Sequence, residues 1–116
     1  MAHRAALGRL ALLALACALP AWAESPSGAE LFTRADKGNC IACHQVPAGA
    51  GPATRADMGP RLEGARMRAL GRERLRALLT DPMANNPDTL MPPFGRHRIL
   101  DEAEIGRVID YLYALP

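Results

Sequence analysis

The strongest chemical signal in this chain of 116 residues is the pentapeptide Cys40-Ile41-Ala42-Cys43-His44. Two thiols on one turn of chain, separated by two residues, can each add to a vinyl group of a haem. The adjacent histidine is then placed to bind the iron. The motif predicts one covalently attached haem c, with Cys40 and Cys43 as its thioether anchors and His44 as an axial ligand.

Two other uses of these residues compete with haem attachment. A structural zinc site usually needs four protein ligands, and after His44 the sequence offers only His97 and no further cysteine. A disulfide or a thioredoxin-like dithiol lacks the βαβ context that such motifs have, and it leaves His44 without a role. Haem attachment is therefore favoured, and a disulfide is the main alternative.

A haem iron bound by His44 needs a sixth ligand or an open site. Met91 is the preferred candidate, because it lies in the segment Leu90–Phe94. The two prolines that follow it stiffen the backbone and so hold its soft thioether in place. His97 is the rival ligand. Methionine more often fills gaps in a core, and three others are available for that: Met58, Met67 and Met83.

The dipeptide Gly59-Pro60 follows the cysteine motif. A histidine that binds a metal normally donates its other ring N–H to a carbonyl or carboxylate, which fixes the orientation of the ring. The Pro60 carbonyl is the predicted acceptor for His44. Gly-Pro is also a common turn, so the dipeptide alone supports both interpretations.

The region before and after the cysteines has clear local signals. Ser27 and Glu30 form a capping box that predicts the start of a first helix. Gly38 is predicted to end that helix in a left-handed conformation. Residues 45–60 are rich in Gly, Pro and Ala without periodicity, which predicts a loop.

Two further helical stretches are predicted in the second half. The first is interrupted by Gly71 and ends before Pro82, and the second begins at a capping box of Asp101 and Glu104. Their apolar positions are Met67, Leu70, Leu75, Leu78 and Leu79 in the first, and Ile105, Val108, Ile109 and Leu112 in the second. Because no alternating run predicts a strand, the fold class is all-α.

The N-terminal residues 1–23 are typical of a cleaved secretory signal peptide. An apolar run from Leu10 to Leu19 follows Arg4 and Arg9, and Ala21-Trp22-Ala23 supplies a cleavage site. About ten apolar residues are too few for the roughly 20 that span a bilayer as a helix. The prediction is a periplasmic domain over 24–116 with no integral membrane segment, and a lipidated Cys17 is the weaker alternative.

The charge of the predicted mature chain is balanced. Loss of two arginines with residues 1–23 lowers Lys+Arg from 14 to 12, against 12 Asp+Glu. This balance and export predict no nucleic-acid partner. Arginines cluster between Arg61 and Arg76, which favours a solvated helix face, with a docking surface as the alternative.

The combination of C-x-x-C-H, Gly-Pro, a methionine in a Pro-rich loop and a final amphipathic helix resembles the class I cytochromes c. The resemblance implies a few short helices wrapped around one haem. It also implies that the first and last helices cross near the haem, with Leu31 and Phe32 against Ile109 and Leu112.

A narrower resemblance is to the SoxX family, the monohaem subunits of the sulfur-oxidation cytochromes SoxAX. It implies a heterodimer with a SoxA subunit, which joins thiosulfate oxidatively to a cysteine of the SoxYZ carrier as an L-cysteine S-thiosulfotransferase. The segments that carry this resemblance are Gly38–His44, Met58–Leu62, Asn86–Phe94 and Ile109–Leu112.

In that role the chain relays electrons to a downstream acceptor and is expected to catalyse nothing alone, because both mature thiols are consumed. Val46–Thr54 and Pro92–Phe94 flank the motifs without charge, and they are the predicted docking face for SoxA. The alternatives are a free cytochrome c shuttle and a non-haem dithiol oxidoreductase.

Overall fold

The structure is a computed structural model that describes Met1 and residues 23–116. The predicted signal peptide, apart from its two end residues, lies outside the described residues. Four helices follow in chain order: α1 (Gly28–Thr33), α2 (Gly64–Leu70), α3 (Arg72–Thr80) and α4 (Glu102–Ala114), with short 3-10 turns at Cys40–Ala42 and Pro82–Ala84. Residues 23–116 contain no strand, so the all-α prediction is confirmed.

Both predicted capping boxes start their helices. The Ser27 hydroxyl accepts from the Glu30 backbone N–H at 3.2 Å, and the Glu30 carboxylate accepts from the Ser27 N–H at 2.7 Å. Asp101 and Glu104 make the same pair of bonds, at 2.7 and 2.9 Å. Four backbone N–H groups that a helix leaves unpaired are thereby satisfied by local sequence alone.

The first and last helices cross at close range, as the resemblance implied. At the crossing, a Cβ at Gly28 would overlap the backbone carbonyl of Arg107, so only glycine lets the two backbones approach this far. The Phe32 and Tyr111 rings lie 5.1 Å apart in a tilted arrangement. This crossing forms the centre of the core, together with Leu31, Leu100, Ile105, Val108, Ile109 and Leu112.

The middle helical stretch is divided at Gly71, whose φ of 86° separates α2 from α3. Its arginines are exposed, yet several of them tie these helices to α4. Arg72 bridges to Asp110 at 2.6 Å and Arg76 to Glu102 at 2.7 Å. The predicted solvated face therefore also joins neighbouring helices, although exposed ion pairs contribute little stability each.

None of the helices in residues 23–116 has the length and apolar character needed to cross a membrane.

Candidate haem site

A cavity of about 560 Å³ opens beside the cysteine motif, and its lining atoms are mostly apolar. All five residues predicted from the sequence to hold the cofactor line it: Cys40, Cys43, His44, Pro60 and Met91. The volume lies within the range of about 300–1,000 Å³ that is typical of ligand and cofactor cavities. Two thiols, an imidazole and a thioether around one apolar cavity form a donor set that fits a covalently bound haem.

The cysteines are presented by a tight turn. The backbone N–H groups of Cys43 and His44 both donate to the Cys40 carbonyl, at 3.1 and 2.9 Å. Asn39 precedes the turn in a left-handed conformation with φ of 46°. The prediction that Gly38 is left-handed is therefore wrong. The left-handed residue is Asn39, because asparagine also tolerates this conformation. Gly38 is needed for space instead, because a Cβ there would lie 2.7 Å from the Leu31 carbonyl oxygen.

Both thiols are free and do not form a disulfide. Burial raises the pKa of the Cys40 thiol to about 12. Dithiol oxidoreductases depend on a thiolate with a lowered pKa, and Cys40 has the opposite environment. The buried environment of the Cys40 thiol argues against a dithiol oxidoreductase.

His44 is oriented by the Gly59-Pro60 segment. The His44 Nδ1 atom lies 2.7 Å from the Pro60 carbonyl oxygen, and because a carbonyl only accepts, Nδ1 carries the proton. The Nε2 atom is then left with a free lone pair for a metal. The Pro60 carbonyl is therefore within hydrogen-bond distance of the His44 ring.

Gly59 contributes to the same arrangement, a role that the Gly-Pro dipeptide alone does not indicate. Its N–H donates to the Cys43 carbonyl at 2.8 Å, and a Cβ on it would overlap the His44 imidazole. The sequence signal was present in the dipeptide but is shared by many turns. The contact with His44 becomes visible only when the loop folds back onto the cysteine turn.

Met91 is half-buried, lines the cavity and packs against the core. His97, the rival ligand, is exposed and is not among the residues that line the cavity. This placement favours Met91. Of the three other methionines, Met67 is buried, whereas Met83 is exposed and Met58 is 65% exposed at the edge of the cavity.

The predicted docking face is wrong at three of its residues. Phe94 is only 5% exposed and belongs to the core, and Val46 and Pro93 are also buried. A chain with few aromatic residues uses Phe94 to fill its interior, which removes it from any surface. The exposed apolar side chains beside the cavity are instead Met58 and Leu90, which is 79% exposed.

One charged pair borders the cavity. Lys37 lines it, and its ammonium lies 2.7 Å from a carboxylate oxygen of Glu104, which is buried. Burial acts to raise the pKa of Glu104, but the hydrogen bonds from Lys37 and from the Asp101 backbone outweigh it and lower the pKa overall. Glu104 is therefore charged at neutral pH and holds Lys37 in place.

A metal site built from three or more His, Cys, Asp or Glu side chains is not found among the described residues. The donors at the cavity are instead the sulfur and imidazole groups that a haem uses.

A helical chain whose cysteine turn and glycine-proline loop face an apolar cavity defines a class I c-type cytochrome. Residues 23–112 match the family model described as cytochrome c oxidase, cbb3-type, subunit III, and the chain belongs to this cytochrome c family. No curated protein gives a match. Membership implies covalently bound haem c and a role in electron transfer.

Proposed function

We propose that the chain is a periplasmic monohaem cytochrome c that passes electrons one at a time. The observation that carries the proposal is the convergence of Cys40, Cys43, His44 and Met91 on one apolar cavity. A haem bound there supplies reversible one-electron chemistry. The residues that line the cavity would hold it and set its potential.

Each residue has a distinct part in this proposal. Cys40 and Cys43 hold the cofactor through two thioether bonds, so that an exported protein does not lose it. His44 Nε2 and the Met91 thioether would hold the haem iron, and the Pro60 carbonyl fixes the His44 ring through Nδ1. With both groups bound to the iron, no coordination site would be left for a substrate, and ligation by histidine and methionine would raise the potential.

The finer proposal is that the chain is the SoxX-like subunit of a SoxAX complex. Its support is the segment Asn86–Phe94, whose lead-in Asn-Pro-Asp-Thr-Leu before Met-Pro-Pro resembles the SoxX family more than other cytochromes c. Joining thiosulfate to a SoxYZ cysteine forms a sulfur–sulfur bond, releases the thiol proton and yields two electrons. This chain takes those electrons from SoxA singly and passes them to a downstream acceptor.

A free electron shuttle is the second candidate function. The family description favours it, because it names an oxidase subunit and so points to electron delivery within a respiratory chain. In this case contacts with partners are transient, and the exposed Met58 and Leu90 beside the cavity stay uncovered in the isolated state.

Mass spectrometry of the denatured periplasmic protein tests covalent attachment. We expect the mass of the chain from Glu24 plus one haem, and no covalent haem after both Cys40 and Cys43 are replaced by Ala. A mass equal to the apoprotein less two hydrogens would indicate a disulfide and contradict the proposal.

A comparison of Met91→Ala with His97→Ala tests the axial ligands. Loss of Met91 should lower the reduction potential and remove the weak sulfur-to-iron band at the red end of the oxidised spectrum. His97→Ala should leave both unchanged. The opposite pattern would make His97 the ligand.

Purification from the native host separates the two functions. A SoxX-like subunit should copurify in a stable heterodimer with a SoxA-like chain, and thiosulfate with SoxYZ should reduce its haem only within that complex. A monomer that no SoxA-like chain accompanies, and that donates electrons to an oxidase, would establish the shuttle.

A further inference from the structure

Thr89 connects the cavity wall to the backbone of Met91. Its hydroxyl accepts a hydrogen bond from the Met91 N–H at 3.2 Å, in a part-buried position, and Thr89 itself lines the cavity. A hydroxyl that bonds to the backbone two residues later fixes a turn locally. The bond therefore acts on the residue that the proposed function makes an iron ligand.

The segment around Met91 has few other hydrogen bonds. The Thr89 N–H donates to the Asn86 carbonyl at 3.1 Å and the Asp88 N–H to the Asn86 side chain at 3.2 Å, so both bonds stay within the loop. Pro92 and Pro93 follow and have no N–H to donate. Within residues 23–116, no hydrogen bond joins 87–91 to another part of the fold.

We propose that Thr89 is a positioning residue for Met91, an inference that rests on the proposed axial role of Met91. The hydroxyl holds the Met91 backbone at the cavity wall and so keeps the thioether in place against competing ligands. Without this bond the loop has more conformations in which Met91 is away from the cavity, and an external ligand then competes more effectively.

Imidazole binding to the oxidised holoprotein measures this competition. We expect Thr89→Val, which keeps the shape and removes the hydroxyl, to bind imidazole about fivefold more tightly, the factor that corresponds to one neutral hydrogen bond. Thr89→Ser retains a hydroxyl and should restore the wild-type affinity. Thr89→Ala provides a second variant without the hydroxyl if Thr89→Val does not fold.

Thr33→Val is the matched control. The Thr33 hydroxyl donates to the Ala29 carbonyl at 3.1 Å, which is also a local bond, and Thr33 is not among the residues that line the cavity. Its loss should leave the imidazole affinity unchanged. An equal change in Thr33→Val and Thr89→Val would show a general loosening of the protein and overturn the inference.

Imidazole affinities of the Met91 and Thr89 variants distinguish a wrong positioning role of Thr89 from a wrong axial role of Met91. If Met91→Ala binds imidazole much more tightly while Thr89→Val and Thr89→Ala match the wild type, the positioning role is wrong and the axial role stands. If Met91→Ala matches the wild type in both affinity and far-red band, the axial assignment itself is wrong.

Discussion

The cysteine turn and the Met91 loop border the same cavity but are held in different ways. The turn is tied to distant parts of the chain, since the Pro60 carbonyl meets His44 from 16 residues away and the Thr54 hydroxyl donates to the Ile41 carbonyl at 3.3 Å. The hydrogen bonds of the Met91 loop span two or three residues. One border is fixed by the tertiary fold and the other by its own turns.

This difference separates two kinds of stability. A bond between distant segments is lost when the whole domain opens, whereas a local turn can open while the core stays folded. Loss of a contact around the cysteine turn should therefore reduce the free energy of unfolding. Loss of a local bond in the Met91 loop should change ligand exchange at the iron with little effect on unfolding.

The largest effect is expected at the residues on either side of Met91. Phe94→Asp places a charge at a site that is 5% exposed, and it should destabilise the protein by at least about 4 kcal/mol. Leu90→Asp changes a side chain that is 79% exposed, and its effect should stay within about 0.5 kcal/mol. Guanidinium unfolding of the holoproteins measures both.

A Phe94→Asp protein of wild-type stability with weaker partner binding would show that Phe94 is on the docking surface after all. It would also place the end of the Met91 loop outside the core.

The next effect concerns the contact between Gly59 and His44. Gly59→Ala would push a methyl group into the imidazole, and we expect a loss of about 2 kcal/mol, with weakened His44 ligation visible in the absorption spectrum. Gly106→Ala is the control, because a Cβ there meets only Arg76 at 3.6 Å and alanine favours a helix. Equal stability of the two variants would mean that the cysteine turn is less constrained than the geometry indicates.

Features that depend on neighbouring residues were predictable from the sequence. The capping boxes at Ser27 and Asp101 need only residues three positions apart, and the apolar face of α4 follows from helical spacing. The cysteine motif is equally local, because its chemistry needs two thiols on one turn. In each case the sequence pattern and the contact involve the same few residues.

Features that depend on the folded surroundings were not predictable. Whether Phe94 lies on the surface depends on the core that α1 and α4 build around it, and no local pattern reports this burial. Asn39 takes the left-handed conformation, and Gly38 occupies the position where the Leu31 carbonyl and Cys40 leave no space for a side chain. The role of Gly59 likewise depends on a loop returning to His44.

A smaller effect is expected for the ion pair beside the cavity. Because the folded-state pKa of Glu104 is lowered, its stabilising contribution is present above the unfolded value of about 4.3 and is lost as the pH falls through the lower folded value. Glu104→Gln should therefore destabilise the protein at pH 7, by about 1.5 kcal/mol. The two proteins should converge in acid.

Unfolding measured over a series of pH values tests this dependence. Glu102→Gln is the control, since the Glu102–Arg76 pair is exposed and should contribute little at any pH. A difference between wild type and Glu104→Gln that stays constant into acid would mean that the charge of Glu104 is not what stabilises the fold.

The smallest effect is expected for a long-range hydrogen bond, from the Tyr111 hydroxyl to the Ala50 carbonyl at 2.8 Å. It tests whether long-range bonds affect unfolding and leave ligand exchange unchanged. Tyr111→Phe keeps the ring against Phe32 and removes this long-range bond, so unfolding should become easier by about 1 kcal/mol. Imidazole affinity should not change, which is the reverse of the result expected for Thr89→Val. Tyr113→Phe is the control, because the Tyr113 hydroxyl makes no hydrogen bond in the described part of the chain. If Tyr111→Phe altered imidazole binding and left unfolding unchanged, the two borders of the cavity would not be independent, and the distinction between tertiary and local support would fail.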